Sequence, residues 1–237
     1  MSDNLPWRAA LLEGAAVLVA ILVAFGIDAA WEVRQDRETE GAFLASLQLE
    51  LAANRSLLSA SLANIDSNIA ATESYIVWVT TADPTRVHAD SLRAMTQRMS
   101  PLRAQPLQRS AFEDLLSGGL QMIRSPELRR LVLEYGRALA IDDARQQSTQ
   151  AWWDNHASSY DLREADLVGM NPDGWAGRTD LSVDIDPHAF IGNREFANIL
   201  AARAYRAQDV RLARVDLLER LEELSDELER DRSAGGE

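Results

Sequence analysis

The sequence predicts an all-α protein in which an N-terminal transmembrane helix is followed by an elongated antiparallel helical bundle. Three observations lead to this prediction. A long apolar stretch opens the chain, apolar residues recur at three- and four-residue steps over most of the remainder, and no segment shows the two-residue alternation of a strand. We expect residues 1–31 to form a tail and anchor, and residues 32–237 to form a soluble helical-bundle domain.

The opening stretch, residues 5–31, reads LPWRAALLEGAAVLVAILVAFGIDAAW and exceeds the roughly 20 mainly apolar residues that a membrane span needs. Trp7 and Trp31 lie near its two ends, where interfacial aromatic residues are expected, and a helix would place them roughly 36 Å apart. A cleaved signal peptide is disfavoured because the first residues are weakly basic and Glu13 interrupts the apolar run. A buried core helix is disfavoured by the length and the paired tryptophans.

Two acids flank the most apolar part of this span. At about 100° per residue, Glu13, Ala16, Ala20, Ala24 and Asp28 fall within roughly 120° of one another on a helix. Small residues at such spacing allow a second helix to approach closely, and polar side chains can then bond across the contact. The alternative is chance alanine abundance with a protonated or snorkelling glutamate. We predict that these five residues form a membrane partner-docking face.

Five further segments have helical character. The first is a proline-free segment that continues the anchor to about Thr81, before Asp83-Pro84 ends it. The others are a short helix near residues 90–99, the segment LQRSAFEDLLSGG at residues 107–119, a helix that begins at Ser125-Pro126 and extends towards residue 165, and a last helix over about residues 188–232.

Periodicity also predicts which residues form the core. In the last helix an apolar heptad stripe is interrupted by Arg214. The predicted core positions are Leu44, Leu47, Leu51, Leu58, Leu62, Ile65, Ile69, Ile76 and Val79 in the first helix, and Ala207, Val210, Leu217, Leu221, Leu224 and Leu228 in the last.

Composition excludes several function classes. The net charge is −13, and all 24 basic residues are arginine. A body of this sign gains nothing from counterion release, so nucleic acid is not an expected partner. The chain has no cysteine, which excludes a disulfide framework, a thiolate metal site and a cysteine nucleophile. We predict no cofactor.

Candidate chemistry is sparse. His88, His156 and His188 share no metal-ligand spacing. The irregular segment at residues 171–187 contains Asn171-Pro172-Asp173-Gly174 and Asp184-Ile185-Asp186, whose oxygens suit calcium, but it lacks the spacing of a calcium-binding hand. Because no phosphate loop, nucleophile elbow or carboxylate constellation is present, we predict a protein that is not an enzyme and holds no metal.

Two segments resemble a bacterial family of single-span, membrane-anchored helical proteins of unknown function. They are LLEGAAVLVAILVAFGIDAAWEVRQDRETEGAFLASLQLELAANRSLL and SAFEDLLSGGLQMIRSPELRRLVLEYGRAL. The shared features are an acid before the apolar run, an acid and a tryptophan after it, a charged helix, and a small-residue turn before a helix that opens on proline. The resemblance implies an anchored helical domain, and it does not imply an activity.

The membrane topology is argued from charge and from this resemblance. Arginine counting alone leans towards a cytoplasmic body, because only Arg8 precedes the span while Arg34 and Arg37 follow it. Short tails before an uncleaved anchor commonly stay inside, and the resemblance implies an extracytoplasmic body. We predict an inner-membrane, single-pass protein with a cytoplasmic N-terminus and a periplasmic domain.

Two functions are compatible with these features. The first is a non-catalytic accessory or structural subunit of a larger membrane complex, whose partners are the lipid bilayer and transmembrane helices of other subunits. Respiratory and photosynthetic complexes use such subunits, and nothing in the sequence selects either. The second is a membrane-anchored extracytoplasmic sensing or binding module. A groove in the bundle near Trp152, Trp153 and Trp175 would favour this second function.

Overall fold

A computed structural model describes residues 6–98, 105–157 and 186–235. Within these ranges, the side chains of residues 6–12, 14, 16, 89, 93, 96–98 and 234–235 lie outside the description. Every described element is helical and the described ranges contain no strand, which confirms the all-α prediction. In the same part of the chain, no helix is long and apolar enough to cross a membrane. The transmembrane anchor therefore stays a prediction.

Six α-helices are present in the described ranges. A 3₁₀ turn over Pro84–Arg86 separates the first two, and π-helical turns over Leu115–Gly119 and Trp153–Ala157 extend the third and fourth. The helices are α1 (Pro6–Thr81), α2 (Ala89–Arg98), α3 (Ser110–Asp114), α4 (Pro126–Trp152), α5 (Pro187–Phe190) and α6 (Arg194–Gly235).

The predicted helix boundaries are confirmed at two places. The predicted anchor and the first bundle helix are one continuous helix, α1, which ends at Thr81. The carboxylate of Asp83 then accepts a hydrogen bond from the backbone N–H of Thr85 and caps the following turn. Helix α4 begins with Pro126 as its first residue, where the missing N–H of proline costs no intrahelical bond.

The prediction of a single last helix starting near His188 is wrong. Helix α5 ends at Phe190, and Gly192 adopts a positive φ of 73°. Glycine tolerates this left-handed conformation because it has no Cβ. Asn193 then accepts hydrogen bonds from the backbone N–H groups of Glu195 and Phe196 and caps α6. The predicted extension of α4 to residue 165 and the segment 171–185 lie outside the described residues.

The chain divides into two compact units. Unit 1 comprises Met1–Glu50 and Arg109–Pro126, and unit 2 comprises Leu51–Gln108 and Glu127–Glu237. Helix α1 contributes residues to both units, and the predicted division at residue 31 stays a prediction.

Much of the core of unit 2 lies at predicted apolar positions, although Leu62, Ile69 and Ile76 of the predicted set are only half-buried. In α1, Leu51, Leu58, Ile65, Thr72 and Val79 recur at seven-residue steps and are all buried. In α6 the predicted core residues are buried as well: Ala207, Val210, Leu217, Leu221, Leu224 and Leu228. Near the end of α1, Val79 packs with Leu92, Met95, Phe190, Ile191, Phe196 and Leu200 in one apolar cluster.

Hydrogen bonds define the directions of the three long helices in unit 2. Arg55 of α1 bonds Glu222 of α6, and Asn68 of α1 bonds Arg203 of α6. The residue number rises along α1 as it falls along α6, so these two helices are antiparallel. Helix α4 is also antiparallel to α6, since Asp142 pairs with Arg214 and Ser148 bonds Arg206.

Helices α1 and α4 are consequently parallel to each other. The bundle was predicted to be antiparallel, but only α6 runs antiparallel to the other two long helices. The physical reason is the connection between them. Helix α2 packs beside Val79, whereas Gln108 bonds Asn54. The chain has therefore travelled back by 25 residues of α1, about 38 Å at 1.5 Å per residue, before α4 begins.

The arginine that interrupts the α6 stripe lies inside the core of unit 2. Arg214 is 1 % exposed, and its Nε lies 3.3 Å from Oδ1 of Asp142, which is fully buried. The guanidinium also donates a hydrogen bond to the hydroxyl of Ser61. Burial lowers the pKa of Arg214 and the charge of Asp142 opposes that effect. Arginine nevertheless stays charged in proteins, so the pair is an ion pair.

Candidate functional site

The predicted docking face lies on the continuous helix α1. Among the residues whose side chains are described, Glu13, Ala20, Ala24 and Asp28 are all exposed. The side chains of Ala16 and Trp7 lie outside the description. Because the backbone is helical from Pro6 onward, a separation of 15 residues places Glu13 and Asp28 about 22 Å apart along the axis.

The rest of this segment exposes a continuous apolar surface. Ten large apolar side chains lie between residues 17 and 33, and each is between 47 % and 68 % exposed. Soluble monomers rarely expose contiguous apolar patches of such extent, and larger patches mark membrane or protein interaction sites. The side chains are those of Val17, Leu18, Val19, Ile21, Leu22, Val23, Phe25, Ile27, Trp31 and Val33.

A bracket of hydrogen bonds from Arg124 to Val33 and Glu40 contacts α1 at the C-terminal end of this apolar surface. The backbone N–H of Arg124 donates a 2.7 Å hydrogen bond to the carboxylate of Glu40, and Nη2 donates a 3.3 Å bond to the carbonyl of Val33. The guanidinium Nε also lies 3.6 Å from the Glu40 carboxylate. Val33 is only two residues beyond Trp31. Sequence reasoning did not identify this bracket, because its members are 84 and 91 residues apart.

A second carboxylate of α1 holds the short helix α3 in unit 1. Glu50 is 5 % exposed and accepts hydrogen bonds from the backbone N–H groups of Ala111, at 2.7 Å, and Phe112, at 3.2 Å. The N-terminal residue flanking α3, Arg109, makes no side-chain cap. Glu50 therefore supplies from another helix the acceptor that usually comes from the N-cap residue itself.

The sequence also predicted that a groove near three tryptophans would favour a binding function. Unit 2 contains an open groove of about 550 Å³ between the end of α4 and the start of α6. Its lining residues are Trp152, Asn155, His156, Arg194, Glu195, Asn198 and Ile199.

The aromatic side of this groove is ordered by ring contacts. The indole of Trp152 stacks on the imidazole of His156 with ring centroids 5.8 Å apart, and the guanidinium of Arg206 lies 5.2 Å from the Trp152 ring. Trp153 does not line the groove, since it packs against the apolar cluster and beneath Arg203. Trp175 lies outside the described residues.

The described residues contain no group of three or more histidine, cysteine or carboxylate side chains placed to bind a metal ion. Of the three histidines, His156 lines the groove, and the backbone N–H of His188 donates to the capping carboxylate of Asp186. The oxygen-rich segments at residues 171–174 and 184–185 fall outside the described ranges, so the prediction about calcium stays untested.

Comparison with known protein families, curated proteins and solved structures finds no match to this chain. The resemblance to the bacterial family of membrane-anchored helical proteins therefore stays a prediction.

Proposed function

We propose that this chain is a non-catalytic accessory subunit of a larger membrane protein complex, held by a single N-terminal transmembrane helix that docks on helices of other subunits. The observation that carries the proposal is the exposed apolar surface between residues 17 and 33 of α1. In water, exposure of ten large apolar side chains on one short segment is unfavourable, because full burial of each would lower the free energy by about 1.5–3 kcal/mol relative to exposure.

A bilayer is the environment that suits this surface best. The apolar side chains of residues 17–33 cover most directions around the helix axis, which suits surrounding lipid better than a one-sided protein contact. The proposal treats residues 5–31 as one span, including those whose side chains lie outside the description. Trp31 ends the span at the level where indole rings prefer the interface.

The two acids argue for a protein partner within the membrane. Glu13 and Asp28 lie about 22 Å apart along the axis, whereas the hydrocarbon core is about 30 Å thick, so both carboxyls cannot easily lie outside it. Charged residues at depth usually face protein or water rather than lipid. The alanines between them leave room for a close helix contact, and we place the partner helix there.

Two substitutions on this face and two matched controls test the proposal. We expect Glu13→Leu and Ala20→Leu to reach the membrane in normal or greater amount while losing co-purifying chains in mild detergent. The control for Ala20→Leu is Ala15→Leu, because residue 15 lies roughly 140° from residue 20 around the helix axis and is exposed. The control for Glu13→Leu is Glu32→Leu, which removes a carboxyl beyond Trp31.

Recovery of the same partners in the same amounts from both face variants and the parent would contradict a docking face. A parent chain that purifies alone, with no stoichiometric partner, would contradict the accessory-subunit function as a whole.

We place residues 32–237 in the periplasm of a bacterium and the N-terminus in the cytoplasm. Arginine counting alone favours the opposite orientation, because Arg34 and Arg37 follow the span. The proposal rests instead on the short tail, since short tails before uncleaved anchors commonly stay inside. Protease added to intact spheroplasts is expected to digest the helical domain, whereas a cytoplasmic marker protein remains intact. Full protection of the domain would reverse the orientation.

A second candidate function is a membrane-anchored binding module, which the groove beside Trp152 favours. Its volume of about 550 Å³ lies within the range of small-molecule sites, and it combines aromatic and polar side chains. Native mass spectrometry of the purified full chain distinguishes the two functions. A lone chain carrying a small-molecule adduct that Trp152→Ala abolishes supports the binding module, and an intact complex with other chains supports the accessory subunit.

A further inference from the structure

The apolar core of unit 2 does not by itself define how far each helix is shifted along its neighbours. Leu51, Leu58 and Ile65 of α1 recur every seven residues and are similar in size. A shift of α1 by seven residues, about 10.5 Å, in one direction would place Leu44, Leu51 and Leu58 at these three positions. Helix α6 has the same property, since Leu217 and Leu224, and likewise Leu221 and Leu228, are one heptad apart.

The polar residues of the same seams share this spacing, but their partners are not interchangeable. On α1, Asn54, Ser61 and Asn68 are also seven residues apart, but each has a different partner. Asn54 exchanges two 2.8 Å hydrogen bonds with the backbone of Gln108 and lies 3.3 Å from the hydroxyl of Tyr135. Ser61 accepts a bond from Arg214, and Asn68 accepts a 2.8 Å bond from Arg203.

We propose that three polar layers fix the register of α1, α4 and α6. The first layer is Asn54 with Gln108 and Tyr135, the second is Ser61 with Asp142 and Arg214, and the third is Asn68 with Arg203. The layers act by selecting one register from several that the apolar residues would accept, in the way that a single buried polar position fixes the register of a coiled coil.

The middle layer is the most selective of the three. Asp142 is fully buried and Arg214 is 1 % exposed. A shift of α6 by one heptad against α4 would place Ala207 or Leu221 opposite Asp142 and would bury an unpaired carboxylate. Such a state is strongly disfavoured, because a buried charge without a partner is far more costly than a paired one.

The spacing along α4 supports the same assignment. Tyr135 and Asp142 of α4 are seven residues apart, as are Asn54 and Ser61 of α1. Asn54 contacts Tyr135 in the first layer, and Ser61 and Asp142 share Arg214 in the second. Parallel α1 and α4 therefore keep a constant offset of 81 residues through both layers. A one-heptad slip of α1 against α4 would break both layers together.

A polar-layer variant tests the proposal in the full chain. In this variant Ser61→Ala, Asp142→Leu and Arg214→Met replace the middle layer by apolar side chains that have the same number of heavy atoms or fewer. The matched control is Asp66→Leu with Arg211→Met, which removes an ion pair between α1 and α6 that joins an exposed aspartate to a half-buried arginine.

The measurement is the distance between two spin labels in the detergent-solubilised full chain. Because the chain has no cysteine, labels can be attached at introduced cysteines alone, and we choose the exposed positions Ser59 of α1, Ala144 of α4 and Glu219 of α6 in pairs. The parent and the control should give one distance for each pair. The polar-layer variant should give at least one additional distance, from a register displaced by about 10.5 Å, with unchanged helical circular dichroism.

Two results would overturn the proposal. A polar-layer variant that keeps the single parental distance for all three label pairs would show that apolar packing or the connections fix the register. Loss of helical circular dichroism in that variant would show that the layer is needed for folding itself rather than for the choice among registers.

Discussion

Removing the carboxylate of Glu50 should release the start of α3. In the structure this carboxylate accepts the N–H of Ala111 at 2.7 Å and the N–H of Phe112 at 3.2 Å. Hydrogen bonds to a charged acceptor contribute about 1.5–3 kcal/mol each, and loss of a helix N-cap costs about 0.5–2 kcal/mol. Since Ala111 is only half-buried and water can replace part of the contact, we expect Glu50→Ala to cost about 2–4 kcal/mol.

Amide hydrogen exchange is the assay that resolves this local effect. A cost of about 2–4 kcal/mol corresponds to exchange at Ala111 and Phe112 that is about 30- to 1000-fold faster than in the parent. Glu50→Gln retains one acceptor oxygen and should fall between the parent and Glu50→Ala. The control is Glu38→Ala, which removes an exposed carboxylate of the same helix that pairs with Arg34 and contributes about 0.5 kcal/mol or less. Exchange in Glu50→Ala that matches the control would refute the assignment of Glu50 as the cap of α3.

Three further predictions concern stability. Leu221→Asp should destabilise the fold by about 4 kcal/mol or more by burying an unpaired carboxylate, and should lower the melting temperature accordingly. Leu212→Asp, at a 55 % exposed position of α6, should change the melting temperature little. Equal melting temperatures of the two variants would show that the heptad stripe is not core. Gly192→Ala should lower the free energy of unfolding by about 1–2 kcal/mol because its φ is +73°, although a Cβ there meets no atom within 4 Å. Gly41→Ala inside α1 should raise it by about 0.5–1 kcal/mol. Chemical denaturation that gives changes of the same sign at both sites would contradict this. The hydroxyl and the N–H of Thr85 lower the pKa of Asp83, so its stabilisation is present above the unfolded-chain pKa of about 3.9 and is lost as the pH falls through the lower folded value. An NMR titration of Asp83 that gives a pKa at or above 3.9 would contradict this cause.

Local sequence patterns predicted the helices and much of the core. The buried heptads of α1 and α6 followed from apolar periodicity, and the start of α4 followed from proline at its first turn. Those features depend on residues within one or two turns of each other, which is the range over which periodicity and capping act.

Features that depend on distant residues were not predictable in the same way. Arg214 looked like a defect in the α6 stripe because its partner Asp142 lies 72 residues earlier. The parallel direction of α1 and α4 depends on the return of the chain to Asn54, and helical periodicity carries no information about the direction of a connection. The bracket at Glu40 and the cap at Glu50 were missed since capping rules describe neighbours in sequence, whereas these acceptors come from another helix.

The sequence separation between α1 and α6 has a consequence for biosynthesis. Helix α1 is complete at Thr81, but α6, which covers its apolar seam in unit 2, begins only at Arg194. At a synthesis rate of about 5–20 residues per second, roughly 6–22 s pass while residues 82–193 are made. During that interval the seam of the nascent α1 has no α6 to pack against. A ribosome that pauses within residues 82–193 would lengthen this period, and aggregation or chaperone binding of the nascent chain would rise accordingly.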